Sequence, residues 1–395
     1  MFAWVAKGKE RNVMLFYILT ASTNLWFAAS NWLYVWRRFM SFGELGWVDG
    51  IGFGFSVLLE VPSGALADIL GKRITLIMSN IAATCGILLI ALGNTFWEIF
   101  IGNLIVQFGW ALYSGASEAM AYDSLIDLRK EHLFSQVLAK SNLVMSYAAA
   151  FGYYVGGFLY DIHWRMPHIV WGLSYVPAII ASFLIIEPIS DTEKFTMQGY
   201  WNKIVLGTKE LFIPKLRKYL IIIFILLGVY FLYTWGFIRP AIATSFGFYS
   251  KEQSIILPVL TLACAYLIQF LPAIKRRLST SAGLTILSTM LAFGFLLSAL
   301  PIGYWGIVPM FLIALAGKFS GPWISILINE EISSAYRATT LSTVALFSKI
   351  PYVVGAVVIG SAFEDGYLMQ FCLGMGLTIL VVTAISYSVI RLKSD

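Results

Sequence analysis

Glu60, Lys318 and Lys349 are the charged candidates inside long apolar runs, where an ionisable group is costly to bury unless it is paired or hydrated. Glu60 lies eight residues before Asp68, about 12 Å along a helix at 1.5 Å per residue. A carboxylate there can take up and release a proton, or it can pair with a basic loop residue. Lys318 and Lys349 lie near the middle of two later runs. Two cations at that depth would suit an anionic ligand, or one could pair with Glu60; snorkelling to the interface is the alternative.

Uncharged polar side chains form a second set of candidates. They lie within apolar runs and are candidates to line a cavity, although periodicity does not show which of them face one: Asn24, Asn31, Asn103, Gln107 and Gln269. Two acidic residues, Glu118 and Asp123, lie at one end of the fourth run. We expect them to act as gate residues, with Lys140 or Arg337 as possible ionic partners.

Other kinds of chemistry find no support in the sequence. Cys85, Cys264 and Cys372 are far apart within apolar runs, and the three histidines make no HExxH pattern, so neither a disulfide framework nor a metal site is predicted. No phosphate-binding loop, dinucleotide fingerprint or catalytic triad spacing is present, so we predict no cofactor and no enzyme activity. The net charge of +6 resides largely in short loops, which indicates membrane orientation rather than nucleic-acid binding.

The composition is that of a membrane protein. Hydrophobic residues make up 59% of the chain and charged residues 12%, against about 25% charged in soluble domains. Apolar runs of about 20 residues, each able to cross the bilayer as a helix, recur along the whole chain. The sequence therefore predicts an all-α membrane protein with twelve spans at about 12–35, 46–67, 73–93, 96–120, 137–160, 167–187, 217–240, 253–274, 280–300, 303–328, 338–362 and 367–391.

The basic residues predict the orientation of these spans. With the N-terminus inside, 19 of the 27 Lys and Arg fall in inner segments, five in outer loops and three within spans. This bias predicts that both termini are cytoplasmic. The long polar connection near the middle predicts an N-terminal six-helix half (1–190), a cytoplasmic linker (191–216) and a C-terminal six-helix half (217–395).

The turn between the second and third spans carries the most specific motif, GALADILGKR at 64–73. It resembles the G-x-L-a-D-r-x-G-r-[KR] signature of the major facilitator superfamily. Both glycines (Gly64 and Gly71), the Leu, Asp68 and the two basic residues Lys72 and Arg73 match, whereas Ile69 stands where the pattern usually has a basic residue. The resemblance implies that Asp68 and Arg73 lock an inner gate in one conformation and release it in another.

Two weaker resemblances concern the fourth and fifth spans. SGASEAMAYDSL at 114–125 resembles a stretch of a bacterial drug-efflux-like subgroup, but Asn103 stands where drug/proton antiporters usually carry Arg. In the fifth span, Ala148, Gly152, Gly156 and Gly157 look like a degenerate antiporter motif. Small residues at this spacing also serve plain helix packing, which is the alternative interpretation.

Together these features predict a secondary transporter of the cell (inner) membrane that moves a small organic solute by alternating access. Proton-coupled efflux of an amphipathic compound is the first expectation. An exchanger or importer of an anionic metabolite, motivated by Lys318 and Lys349, is the alternative. A membrane sensor or enzyme on a transporter fold is the alternative from another class. The expected partners are the solute, protons and the lipid bilayer, with no nucleic acid, and a monomer is expected.

Overall fold

The structure is a computed structural model that describes residues 10–189, 197–332 and 334–392. The side chains of some residues within these ranges, among them Asp68 and Arg337, lie outside the described part. All regular secondary structure in these ranges is helical, as the sequence predicts.

Eight α-helices precede the central connection. They are α1 (Glu10–Thr23), α2 (Trp32–Trp36), α3 (Phe42–Leu70), α4 (Lys72–Leu92), α5 (Phe96–Asp127), α6 (Phe134–Ile162), α7 (Met166–Leu173) and α8 (Val176–Leu184). Ten α-helices follow: α9 (Met197–Leu211), α10 (Pro214–Arg217), α11 (Leu220–Trp235), α12 (Ile238–Ser245), α13 (Ser250–Leu267), α14 (Leu271–Arg277), α15 (Thr280–Ser298), α16 (Ile307–Glu331), α17 (Ser334–Glu364) and α18 (Leu368–Leu392).

Most of the predicted spans correspond to helices of membrane-crossing length. Ten helical stretches within the described ranges are long and apolar enough to cross a bilayer, and there are eleven when α11 and α12, which meet at a bend of 70°, are counted as one span. The predicted first span is different. Its helix α1 has only 14 residues and ends at Thr23, and the chain turns before α2 begins at Trp32.

Asn24 helps to explain why the first span breaks. Its amide donates to the Thr20 carbonyl at 2.9 Å, and the next backbone bonds are short-range ones, such as Trp26 N–H to the Asn24 carbonyl at 2.9 Å. Asn side chains compete with the helical backbone for hydrogen bonds and favour helix ends. A hydropathy window averages over such a break, so the sequence predicted one continuous span.

Two compact units make up the chain. The first comprises residues 1–39, 51–197 and 250–258, and the second comprises residues 40–50, 198–249 and 259–395. The start of α3 therefore belongs to the second unit, and the start of α13 belongs to the first. The division into halves at 190 and 217 stays a prediction.

Each unit has its own buried core. In the first unit, Leu19 of α1, Leu76 of α4 and Met120 of α5 are fully buried in one apolar cluster. In the second unit, Phe295 of α15 and Trp323 of α16 are fully buried.

Candidate functional site

The turn between α3 and α4 is held by a carboxylate from the end of α8. Gly71 has φ +86°, in the left-handed region that favours glycine. The Glu187 carboxylate accepts hydrogen bonds from the backbone N–H groups of Lys72, at 2.6 Å, and Arg73, at 2.8 Å. An acid at a helix N-terminus is stabilised by the unpaired N–H groups and the helix dipole. The Arg73 guanidinium also donates to the Phe183 carbonyl at 2.8 Å, so the motif turn is tied to the segment around the end of α8.

A buried ion pair lies beside this turn. Lys72 Nζ is 2.5 Å from Asp123 Oδ2, and each side chain is 7% exposed. The pair joins the start of α4 to the last turns of α5. Asp123 is one of the predicted gate residues, and the sequence suggested Lys140 or Arg337, not Lys72, as its partner. Lys140 is exposed.

The remaining gate candidates give less information. Glu118 is exposed on α5. Gly64 and Asp68 belong to α3 and Arg337 to α17, but the side chains of Asp68 and Arg337 and the surroundings of Gly64 lie outside the described part. The gate role of these three residues stays a prediction.

Two of the uncharged candidates lie together. Asn103 and Gln107 are buried on α5 and pack against Gly52 of α3, where a Cβ atom would meet the Asn103 amide and approach Gln107 Cγ to 3.4 Å. Gln107 Oε1 is buried without a hydrogen-bond partner among the described residues. A buried unsatisfied acceptor costs about 1–3 kcal/mol, so this oxygen is a plausible acceptor for a polar ligand group or water.

The other uncharged candidates serve local structure or are exposed. Asn24 holds the end of α1, as described above. Asn31 is buried, and its amide donates to the Gly156 carbonyl at 3.1 Å, which joins the turn before α2 to α6. Gln269 is exposed in the short 3-10 turn between α13 and α14.

The glycines of α6 are close-packing positions. A Cβ on Gly152 would approach the backbone nitrogen of Trp26 to 2.7 Å, and one on Gly156 would collide with the Phe27 carbonyl oxygen. Gly157 faces Ser254 of α13 equally closely. These contacts give plain helix packing as a sufficient reason for the glycine pattern of the fifth span.

The three charged candidates are divided between the units. Glu60 is half-buried on α3 in the first unit, whereas Lys318 on α16 and Lys349 on α17 are half-buried in the second. Lys318 lies near enough to Cys264 to act on its thiol electrostatically. Pro322, four residues after Lys318, lies inside α16 and removes the N–H that would bond the Lys318 carbonyl.

A cavity of about 290 Å³ lies within the second unit. Its wall is apolar and aromatic with three hydroxyl groups, two from serines and one from a tyrosine, and none of its lining residues is charged. The lining consists of Leu227, Tyr230, Phe231 and Trp235 from α11, Gly321, Ile324 and Ser325 from α16, and Leu341, Val344, Ala345 and Ser348 from α17. Lys318 and Lys349 are therefore on two of the helices that build the cavity but not on its wall.

Asp49 is a functional candidate that the sequence analysis missed. It is 5% exposed on α3, and its carboxylate accepts a hydrogen bond from the hydroxyl of Tyr352 on α17, which is fully buried. Asp49 lies inside the predicted span 46–67. The same rule that selected Glu60, an ionisable group within an apolar run, would have selected it.

His168 is a second buried group that the sequence analysis passed over. It lies in the first turns of α7 and is 1% exposed. Neither ring nitrogen has a hydrogen-bond partner among the described residues. Its ring packs against Trp171 with the centroids 6.1 Å apart.

Comparison with protein families decides what kind of molecule carries these sites. The family model described as Major Facilitator Superfamily matches residues 12–356. The chain belongs to the major facilitator superfamily. A search of curated protein sequences finds no match.

Solved structures agree with the superfamily fold. The nucleoside transporter NupG aligns at 14% identity over 97% of this chain and 99% of that one, with a TM-score of 0.77. A POT family transporter solved in complex with 5-aminolevulinic acid aligns at 10% identity over 98% and 96%, with a TM-score of 0.71. A bacterial homologue of the lysosomal transporter Spinster, solved inward-facing and unoccupied, aligns at 15% identity over 97% and 96%, with a TM-score of 0.66. At these identities the likeness concerns the fold alone.

Superfamily membership gives the whole chain one coarse function. It is a secondary transporter, a multi-pass membrane protein rather than an enzyme, and its partner is a small molecule. The motif turn at 64–73 lies within the matched region. The hydrogen bonds to Glu187 and the Lys72–Asp123 pair connect the start of α4 to α5 and to the segment that follows α8.

Proposed function

We propose that this transporter exports a small amphipathic compound, apolar or cationic and carrying a ring, in exchange for protons. The observation that carries the proposal is the wall of the cavity in the second unit. Tyr230, Phe231 and Trp235 supply aromatic faces, and Ser325 and Ser348 supply the only hydroxyl groups besides that of Tyr230. Aromatic faces attract both flat apolar rings and cations.

The alternative substrate, an anionic metabolite, receives less support. It was motivated by Lys318 and Lys349, and an anion needs a cation or N–H groups within hydrogen-bonding distance. Neither lysine lines the cavity. Moving an anion into an uncharged aromatic wall would cost several kcal/mol of desolvation without compensation.

The orientation proposed with this function follows from the charge bias. With both termini on the cytoplasmic side of the cell membrane, 19 of the 27 basic residues lie inside. The start of α3 then lies near the outer surface, and the turn at 64–73 lies near the inner one. The turn at 64–73 and the Lys72–Asp123 pair are accordingly proposed as parts of the inner gate.

Proton coupling requires a carboxylate that can change its charge during the cycle. Glu60 is the candidate that the sequence suggests, because it lies half-buried on a helix that also carries the proposed inner gate. An ionisable group within a span is a functional candidate by default.

A transport assay in proteoliposomes tests the proposed function. Ethidium serves as the probe because it is permanently charged and does not redistribute as a weak base when a pH gradient is imposed. We expect an imposed gradient to drive ethidium towards the acidic side in liposomes with the protein. Collapse of the gradient with a protonophore, or protein-free liposomes, should give no movement. If the gradient moves no ethidium, and an anionic probe competes with ethidium for binding to the protein, the export proposal is wrong.

A further inference from the structure

Asp49 has an environment that suits a neutral carboxyl group better than a carboxylate. It is 5% exposed, and its one hydrogen bond among the described residues comes from the Tyr352 hydroxyl. The rings of Phe231 and Phe237 pack against Tyr352 with centroid distances of 6.2 Å each. A carboxylate has room for about four hydrogen bonds. Burying its charge with a single donor costs several kcal/mol, which the binding of a proton removes.

The Asp49 bond lies within a close contact between two helices, which we call the α3–α17 latch (residues 42–50 of α3 and 352–364 of α17). A Cβ on Gly46 would collide with the Ala356 carbonyl, and one on Gly43 would lie 3.2 Å from Ser361 Oγ. The Phe42 N–H donates to the Glu364 carboxylate at 2.6 Å. Because the backbones approach so closely, water on the side of the latch reaches Asp49 only when the latch opens.

The Tyr352 hydroxyl connects the latch to a third element. It also accepts a hydrogen bond from the backbone N–H of Phe237, which lies at the 70° bend between α11 and α12. Its ring occupies the space where Gly236 would carry a Cβ. A change at Asp49 is thus passed to the bent helix pair whose first member, α11, lines the cavity.

Other titratable groups lie on the elements packed around Asp49. Among the described side chains they are Glu44 and Glu60 on α3, Tyr230 and Tyr233 on α11, Arg239 on α12, and Lys349, Tyr352 and Glu364 on α17. Of these, only the Tyr352 hydroxyl is hydrogen-bonded to Asp49 among the described residues. The start of α13 makes a comparable contact in the first unit, where Gln253 donates to the Tyr34 hydroxyl at 2.6 Å. That bond joins two neutral groups, whereas the latch contains a carboxyl group whose charge depends on pH.

We propose that Asp49 is the proton-binding site of the transport cycle and that the α3–α17 latch closes on its protonated form. The inference rests on the proposed proton coupling and on the orientation that places the latch at the outer side. A proton from the outer water binds the Asp49 carboxylate while the latch is open, and it stays there while the latch is closed. It passes from Asp49 to the inner water while the latch is closed, and the latch reopens on the carboxylate that is left. The only covalent bond made and broken is the O–H bond of Asp49.

Disulfide crosslinking across the latch tests this without any substrate. Gly43→Cys and Ser361→Cys are introduced together in a chain in which Cys85, Cys264 and Cys372 are replaced by Ala, and the protein is held in lipid nanodiscs. The crosslinking rate is compared with that of the same chain carrying Asp49→Asn, whose amide oxygen still accepts from Tyr352 but never titrates. Because both chains have the same thiol pair, their rate ratio cancels the pH dependence of thiol chemistry.

We expect the ratio to fall at least about threefold between about pH 5 and pH 8, because a carboxyl group buried with a single donor keeps its proton to higher pH than one in water. A ratio that is flat over this range overturns the proposal. If Asp49→Asn does not fold, Tyr352→Phe with Asp49 retained takes its place. Because Asp49 then loses its one observed hydrogen-bond donor, the pH of half-maximal crosslinking should rise. A midpoint that does not move also overturns the proposal.

The two proposals fail separately. Proton-driven ethidium transport combined with pH-independent crosslinking removes Asp49 as the proton site and leaves the proposed function intact. If crosslinking depends on pH but no proton-driven transport is found, the proposed function is wrong and a proton-dependent latch remains.

Discussion

Trp235 is the residue by which substrate recognition in the cavity is best tested. It lines the cavity on α11 and is 41% exposed, so truncation removes an aromatic face without emptying a packed core. We expect Trp235→Ala to raise the KM for ethidium about tenfold, which corresponds to about 1.4 kcal/mol of lost binding. Trp97→Ala on α5 is the matched control, because Trp97 is 65% exposed and lies outside the cavity. An equal loss in both variants would contradict the role of the cavity.

The Lys72–Asp123 pair supports a prediction about stability at the same scale. Replacing Lys72 by Met removes the cation that lies 2.5 Å from the buried Asp123 carboxylate, and breaking a buried ion pair from one side typically costs about 3–5 kcal/mol. We expect a marked drop in the midpoint of thermal unfolding of Lys72→Met in detergent. The double variant Lys72→Met/Asp123→Leu should regain part of the loss, because no unpaired charge remains buried.

An exposed pair of the same chemistry provides the control. Lys130 Nζ lies 2.9 Å from the Glu10 carboxylate, with about half of each side chain exposed. Exposed pairs contribute about 0–1 kcal/mol, so Lys130→Met should scarcely change the midpoint. If the two single variants behave alike, burial is not what makes the Lys72 pair strong.

The sequence could predict which residues are chemically costly but not which residues meet. Glu60, Lys318 and Lys349 stand out because a charge in an apolar run is costly, and Asp49 should have been selected on the same ground. The pairing of Lys72 with Asp123 depends on how α4 packs against α5, over 50 residues apart in the chain. The contact between Asp49 and Tyr352 spans 303 residues, and no local pattern predicts it.

At the scale of whole helices, the close packing of α6 gives a testable prediction. A Cβ on Gly156 would meet the Phe27 carbonyl oxygen in the turn before α2. We expect Gly156→Ala to lower stability by about 1–3 kcal/mol, because overpacking forces backbone shifts. Gly374→Ala on α18 is the control, since nothing lies within 4 Å of its added methyl group. It should instead gain up to about 1 kcal/mol of helix propensity. Thermal unfolding of both variants in one detergent decides the matter.

Elements were largely predictable because continuous apolar length is what a bilayer selects. The runs at 73–93 and 280–300 correspond closely to α4 and α15. Breaks were not predictable from hydropathy, because they depend on single contacts. Tyr352 fills the space beside Gly236 at the bend between α11 and α12, and Asn24 ends α1 by bonding to Thr20. Both breaks lie within apolar runs.

For the whole molecule, the broken first segment decides the topology. At 1.5 Å per residue, the described part of α1, Glu10–Thr23, spans about 21 Å, short of the roughly 30 Å of the hydrocarbon core. The segment crosses only if the turn at 24–31 and α2 continue it. If it does not cross, the N-terminus changes sides, and the charge bias no longer favours both termini inside.

Labelling of single cysteines with a membrane-impermeant maleimide tests this topology in intact cells, again in the chain whose native cysteines are Ala. Arg38→Cys and Asp365→Cys lie at exposed positions that the twelve-span arrangement places outside, and both should react. Glu10→Cys and Glu131→Cys are exposed positions that it places inside, and they should react only after the cells are opened. Labelling of Glu10→Cys together with Arg38→Cys in intact cells would mean that the broken first segment does not cross. Eleven crossings would then remain, and the two ends of the chain would lie on opposite sides of the membrane.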